Sequence, residues 1–141
     1  TKPVHELSFG SWGGQGLPFY AGNVTYHLQA MVDPSVSRVG LQLNQWSGPV
    51  VTAAIDGSAA STIAFPPFRA DLGAVQPGRR NLDITVYGNR ANAFSQVHLS
   101  RPDYSWAGPH AWRTGGREWT DDYQLVPMGL LAPPWLMQLH G

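Results

Sequence analysis

Sixteen glycines and twelve prolines cut this chain into short runs, and between them no stretch keeps the apolar period that a long amphipathic helix needs. What survives is alternation. In VTYHLQAMV (24–32), Val24, Tyr26, Leu28, Ala30 and Val32 share one strand face, and Thr25, His27, Gln29 and Met31 share the other. The pattern returns with Val39, Leu41 and Leu43 inward against Gln42 and Asn44, with Val51, Ala53 and Ile55, and with Leu82, Ile84 and Val86. Turn chemistry falls between these runs: Asp56-Gly57 suits positive φ, Pro66-Pro67 breaks STIAF from FRADL, and QPGRRN precedes the run ending at Val86.

Short strands at about 8–12-residue spacing, separated by such turns, predict an all-β antiparallel β-sandwich. After Gly88 the pattern loosens. Residues 89–118 read as loop with at most one strand, around 94–99, and residues 123–131 read as an extended segment that Pro127 confines to an edge or breaks. A chain of 141 residues supplies one core and not two, so residues 1–141 form a single module. Its start at Thr1 suggests a piece excised from a larger protein.

Hydrophobic residues at 43% are enough for a core, while charged residues at 13% are few. Nine basic residues balance nine acidic ones, without the positive footprint that a phosphate backbone requires, which argues against nucleic acid as partner. No run reaches the roughly 18 apolar residues of a membrane helix, so no membrane partner is expected. The absence of cysteine removes disulfides, thiolate metal sites and cysteine nucleophiles together.

The order GNVTYHLQAMV, VGLQLNQW, PVVTAAIDG, PPFRADL, PGRRNLDITVYGN, spanning 22–89, resembles the sugar-binding jelly-roll domain beside the catalytic barrel of β-galactosidase- and β-glucuronidase-like enzymes. More broadly it resembles the galactose-binding-like β-sandwich. The matching segments are Ala54-Ile55-Asp56-Gly57, Pro67-Phe68-Arg69-Ala70-Asp71-Leu72, and residues 78–86, with Asp56 standing where the family usually has Asn. The later stretch, with Asn92 and WAGP…W…EWTDDYQLVPMGLL, looks like the end of jelly-roll modules in large bacterial glycoside hydrolases. NAFSQVH lacks the family's Gly-Pro before the histidine, so no role passes to His98. The resemblance implies a secreted, periplasmic or cell-surface setting and an accessory role. Such a module binds a glycan or polysaccharide, or buttresses the catalytic domain of its parent enzyme without binding sugar.

The residues themselves favour binding over catalysis. A glycosidase needs two carboxyl groups across the scissile bond. The acidic residues here sit mostly in turns and strand ends, and Glu118 with Asp121 or Asp122 is the one acidic group near aromatics. No G-x-S-x-G elbow is present, and the five histidines lack metal-ligand pairing. A structural calcium ion needs only loop oxygens, for which Asp103, Asp121 and Asp122 are the first candidates; no other cofactor is expected.

Sugar binding asks for aromatic faces against pyranose C–H groups and planar polar groups for hydroxyls. YSWAGPHAWRTGGREW (104–119) carries both. Tyr104, Trp106 and Trp112 are candidate platforms, with His110 and Arg113 as hydroxyl ligands. Trp46 at a strand end and Trp12 among glycines are candidate rims. Trp119 and Trp135 are expected to pack into the protein. A second candidate surface is the outward strand face, where His27 and Gln29 would neighbour Asp83, Thr85 and Tyr87, or Gln42 and Asn44; the plain alternative there is a solvated sheet.

Overall fold

A computed structural model describes residues 6–100, 109–112 and 114–139, with side chains of 110 and 111 excepted. The alternating runs fold as expected. Strand β1 (Val24–Val32) pairs antiparallel with β7 (Gly78–Val86), which pairs with β4 (Val51–Ile55), which pairs with β5 (Ser61–Ile63). A second antiparallel sheet runs β6 (Arg69–Ala74), β2 (Arg38–Gln42), β9 (Trp135–Leu139). A two-stranded ribbon joins β3 (Trp46–Ser47) to β8 (Gly129–Leu130).

The inward residues of both sheets meet in one core. Tyr26, Val32, Val51, Ala53, Ile55, Leu82, Ile84 and Val86 come from the first sheet, and Val39, Leu41 and Leu72 from the second. This is a β-sandwich, and the period-2 pattern sets which side chains enter it. Asp56 and Gly57 both take positive φ, at 47° and 73°, as the DG turn required. The Asp56 carboxylate also accepts the Asn81 N–H at 2.9 Å, tying the turn to β7.

Three elements depart from the sequence reading. Residues 94–99 are not a strand: a single helical turn, α1 (Ala91–Phe94), is followed by an isolated bridge between Leu99 and Trp119. The extended stretch 123–131 forms a strand only at Gly129–Leu130, after Pro127 removes a backbone donor. Strand β9 escapes the alternation signal, because its three outward positions, Trp135, Met137 and Leu139, are all apolar.

Trp12 corrects the expectation of an exposed rim. It is fully buried, 0% exposed, and its Nε1–H donates to the Tyr26 hydroxyl at 2.8 Å. The glycines around it in sequence do not expose it. Instead, a distant glycine admits it: a Cβ on Gly129 would lie 2.3 Å from the indole nitrogen, and Gly129 has φ of 113°. Two strand-like bonds, Gly10 N–H to Leu130 O and Trp12 N–H to Met128 O, bind the N-terminal segment to the C-terminal one.

Asn92 performs a similar task for α1. Its buried amide donates to Val126 O at 2.8 Å and accepts Val126 N–H at 2.9 Å, copying a strand pairing with a side chain. On the second sheet, Arg38 holds Asp71 through Nε at 2.8 Å, and Asp71 also accepts the Gly73 N–H. Chiefly the Arg38 hydrogen bond, and then the Gly73 bond, lower the Asp71 pKa from its ordinary value.

Gly129→Ala is expected to lower unfolding stability by about 1–3 kcal/mol or more, since it adds both a clash with Trp12 and a positive-φ penalty. Asn92→Ala should cost about 1–3 kcal/mol, because the Val126 amide loses its partner. Denaturant unfolding followed by tryptophan fluorescence reads both. For Asp71, a depressed folded pKa means that its contribution is present above the unfolded pKa and fades as pH falls through the folded one. The stability gap between wild type and Asp71→Asn should therefore close on acidification, and a gap unchanged across that range would contradict the pairing.

Candidate functional site

A groove rich in aromatic and amide side chains lies where three separate segments converge. The chain leaving β2 presents Leu43, Asn44 and Gln45 before Trp46 opens β3. The turn 65–68 presents Phe68, and the approach to β9 presents Leu131, Ala132 and Trp135. Two adjoining cavities result, of about 490 and 730 Å³. Asn44, Gln45 and Phe68 line both; Trp46 lines only the first, and Trp135 and Met137 only the second. They form one groove with an aromatic ring on either side of Phe68.

Local hydrogen bonds explain how the groove holds its shape. Phe68 sits at φ of 54°, a left-handed conformation that a bulky side chain adopts at a cost of order 1–2 kcal/mol. It is kept there by the Leu43 N–H bonding Phe68 O at 2.9 Å and by the Gln42 amide reaching Pro67 O at 2.7 Å. Phe68 in turn meets Trp46 edge to face, centroids 5.6 Å apart at 77°. The Asn44 Nδ2 donates to Pro133 O at 3.0 Å, and Gln45 O accepts the N–H groups of Leu131 and Ala132. Backbone on all three sides is thereby tied together.

What these bonds leave unused is informative. Among the described residues, the Gln45 side-chain amide, the Asn44 Oδ1 and the indole N–H groups of Trp46 and Trp135 have no hydrogen-bond partner within the chain. Trp135 is 66% exposed, which overturns the expectation that it packs. Its place explains why: paired with Gln42 across β2 and β9, it points out of the sandwich, while Leu136 turns toward the core.

The other candidates are distributed differently. Trp46 is half-buried and lines the first cavity. Trp112 is 58% exposed at the end of the 3-10 turn Pro109–Trp112, which also contains His110. Tyr104, Trp106 and Arg113, and the calcium candidate Asp103, lie outside the described residues, as does the side chain of His110. Trp119 is half-buried and stacks on His98, centroids 4.4 Å apart at 25°. Tyr123 packs on the same imidazole and, at 5.0 Å, on Phe19. The His98 Nδ1–H donates to Thr120 O at 2.9 Å. His98 is therefore the centre of an aromatic stack that its sequence context did not reveal.

The outward face of the first sheet is polar and largely paired with itself. His27 Nδ1 lies 2.7 Å from Asp83 Oδ1, Thr25 and Thr85 share a 2.8 Å hydroxyl bond, and Gln29 stands opposite Asn81. A cavity of about 340 Å³ opens there, and a larger one of about 700 Å³, lined among others by Leu17, Tyr20, Thr25 and His27, borders the same strand β1. The carboxylates show structural engagements: Asp56 with Asn81 and Arg80, Asp71 with Arg38, Asp83 with His27, and Asp121 with the Trp119 indole N–H at 3.1 Å. Among the described residues no three His, Asp or Glu side chains gather to hold a metal ion. Asp121 and Asp122 therefore do not form a calcium cage with other described acidic groups.

No family model matches this chain, and no curated protein matches it. Among solved structures it is similar to a rhamnosidase from Novosphingobium sp. PP1Y, at 23% identity and a TM-score of 0.58. The likeness covers 84% of this chain but only 11% of that enzyme, so the chain corresponds to about a tenth of the rhamnosidase's length and shares with that part its β-sandwich fold.

Proposed function

We propose that this chain is a non-catalytic β-sandwich module of a bacterial, secreted or cell-surface carbohydrate-active enzyme, and that it binds glycan. The observation that carries this is the groove at Trp46, Phe68 and Trp135, where aromatic faces and unspent amides stand together on a rigid sandwich. Its support comes also from the engaged carboxylates, which are tied into turns and strand pairs, and from a fold shared with part of a glycoside hydrolase. The exposed Trp112 is proposed as a second contact point, with Tyr104, Trp106, His110 and Arg113 of the same stretch of sequence as further candidates.

One observation favours a different reading, in which the module docks on its catalytic domain and binds no sugar. The outward face of edge strand β9 carries Trp135, Met137 and Leu139 in a row, with Leu139 41% exposed. An apolar row of this kind on a sheet surface suits contact with another protein surface.

A glycan array or affinity gel with the purified chain separates the two. Retention by at least one polysaccharide, weakened by Trp112→Ala or by Trp106→Ala, is the result expected if the 104–119 segment takes part. Retention unaffected by either change would remove that segment from the site. No retention by any glycan would sink the binding reading and leave the docking one. Release of product from aryl glycosides by the chain alone would contradict both.

A further inference from the structure

We infer that the groove between Trp46 and Trp135 is a subsite for a neutral oligosaccharide of at least two sugar units, laid across Phe68. This rests on the glycan-binding reading and specifies its place and its ligand. Three observations lead to it.

The first is charge. The residues lining the two cavities are Asn44, Gln45, Trp46, Ser47, Gly48, Phe68 and Leu131 on one side, joined on the other by Gln42, Leu43, Ala132, Trp135 and Met137. None is ionisable. A uronate or sulfated sugar would have to leave part of its hydration shell without a counter-charge, which costs far more than desolvating a hydroxyl that finds an amide. The groove thus selects against acidic sugars by omission.

The second is the match of polar groups. A sugar hydroxyl both donates and accepts, and the groove offers both: the Gln45 amide, the Asn44 Oδ1 as acceptor, and two indole N–H donors, none used within the chain. The side chain of Asn44 is already oriented by its bond to Pro133 O, so its oxygen is held without further ordering. Leu43, Ala132 and Met137 supply an apolar wall for pyranose C–H groups.

The third is shape. Trp46 and Trp135 line different cavities, while Phe68, Asn44 and Gln45 border both. A single ring occupies one half, whereas two linked rings place one unit beside each tryptophan. Phe68, held in its left-handed conformation, forms the divide that both units touch.

The test uses the full chain, isothermal titration calorimetry, and di- to hexasaccharides of neutral hexoses and deoxyhexoses beside oligogalacturonates. Trp135→Ala is the main variant, since its exposed side chain contributes little to folding; Gln45→Ala is the second, and circular dichroism checks the fold of each. The expected result is binding of a neutral oligosaccharide that exceeds the corresponding monosaccharide, varies little with salt, and weakens at least about tenfold in Trp135→Ala. Glycan binding that both variants leave unchanged would overturn this groove while leaving the glycan-binding reading intact. A preference for oligogalacturonate, or equal affinity for monomer and oligomer, would overturn the neutral two-unit ligand. Absence of binding to every sugar would overturn the subsite and the reading beneath it together.

Discussion

The hydrogen bond from the Trp12 indole to the Tyr26 hydroxyl joins the N-terminal segment to β1 inside the core. Trp12 is fully buried, and burying an indole N–H without a partner would cost a few kcal/mol, so its position is set by where the Tyr26 oxygen stands. That oxygen also lies 3.3 Å from the Leu130 N–H, which donates to it. One phenol thus locks β1, the N-terminal segment and β8 to one another. Gly129 makes the arrangement possible, because any side chain there would occupy the space of the indole.

From this junction the constraint passes outward to the groove. Leu130 pairs with Trp46, and the next two residues, Leu131 and Ala132, both donate to Gln45 O. Asn44 then reaches Pro133, immediately before the chain enters β9. The position of Trp135 relative to Trp46 is therefore set by bonds that run without a break from the buried tryptophan. A site built this way on strand ends and short tied segments has the rigidity that ligand preorganisation requires.

The sandwich was legible in the sequence because its signal is local. Tyr26, Leu41, Val51 and Ile84 announce their faces by the residues two positions away, and the tertiary structure follows that alternation. The tryptophans were not legible in the same way. The glycines beside Trp12 in sequence suggest exposure, but what decides its burial is Gly129, over a hundred residues away. Trp135, in PPWL near the C-terminus, suggests packing, yet its parity on the edge strand β9 turns it outward. The groove joins Asn44, Phe68 and Trp135, whose separation along the chain carries no periodic signal; only Trp46, at the end of a recognisable strand, was visible as a rim. The 104–119 segment stands out in the sequence because aromatic density is readable there whereas convergence is not.

The two outer faces of the sandwich are unequal, and that inequality bears on what the chain does. On the first sheet the exposed groups meet each other: histidine with aspartate, threonine with threonine. Such a face is satisfied by its own cross-strand pairs and by water. On the second sheet Arg38 and Asp71 pair in the same manner at one end, but Trp135, Met137 and Leu139 run along an edge strand with Met137 folded across Gly40. Natural sheets usually guard an edge with charge or proline, because an apolar edge invites association. Here proline guards the entry to β9, at Pro133 and Pro134, and the outward face of the strand stays apolar. A sugar held in the groove as proposed would cover Trp135 and reach Met137, but Leu139, at the far end of the strand, lies outside the groove lining. A glycan at one end of β9 and a protein neighbour at the other are compatible occupants of a single strand, and a module that held both would set its sugar at a fixed distance from the domain beside it.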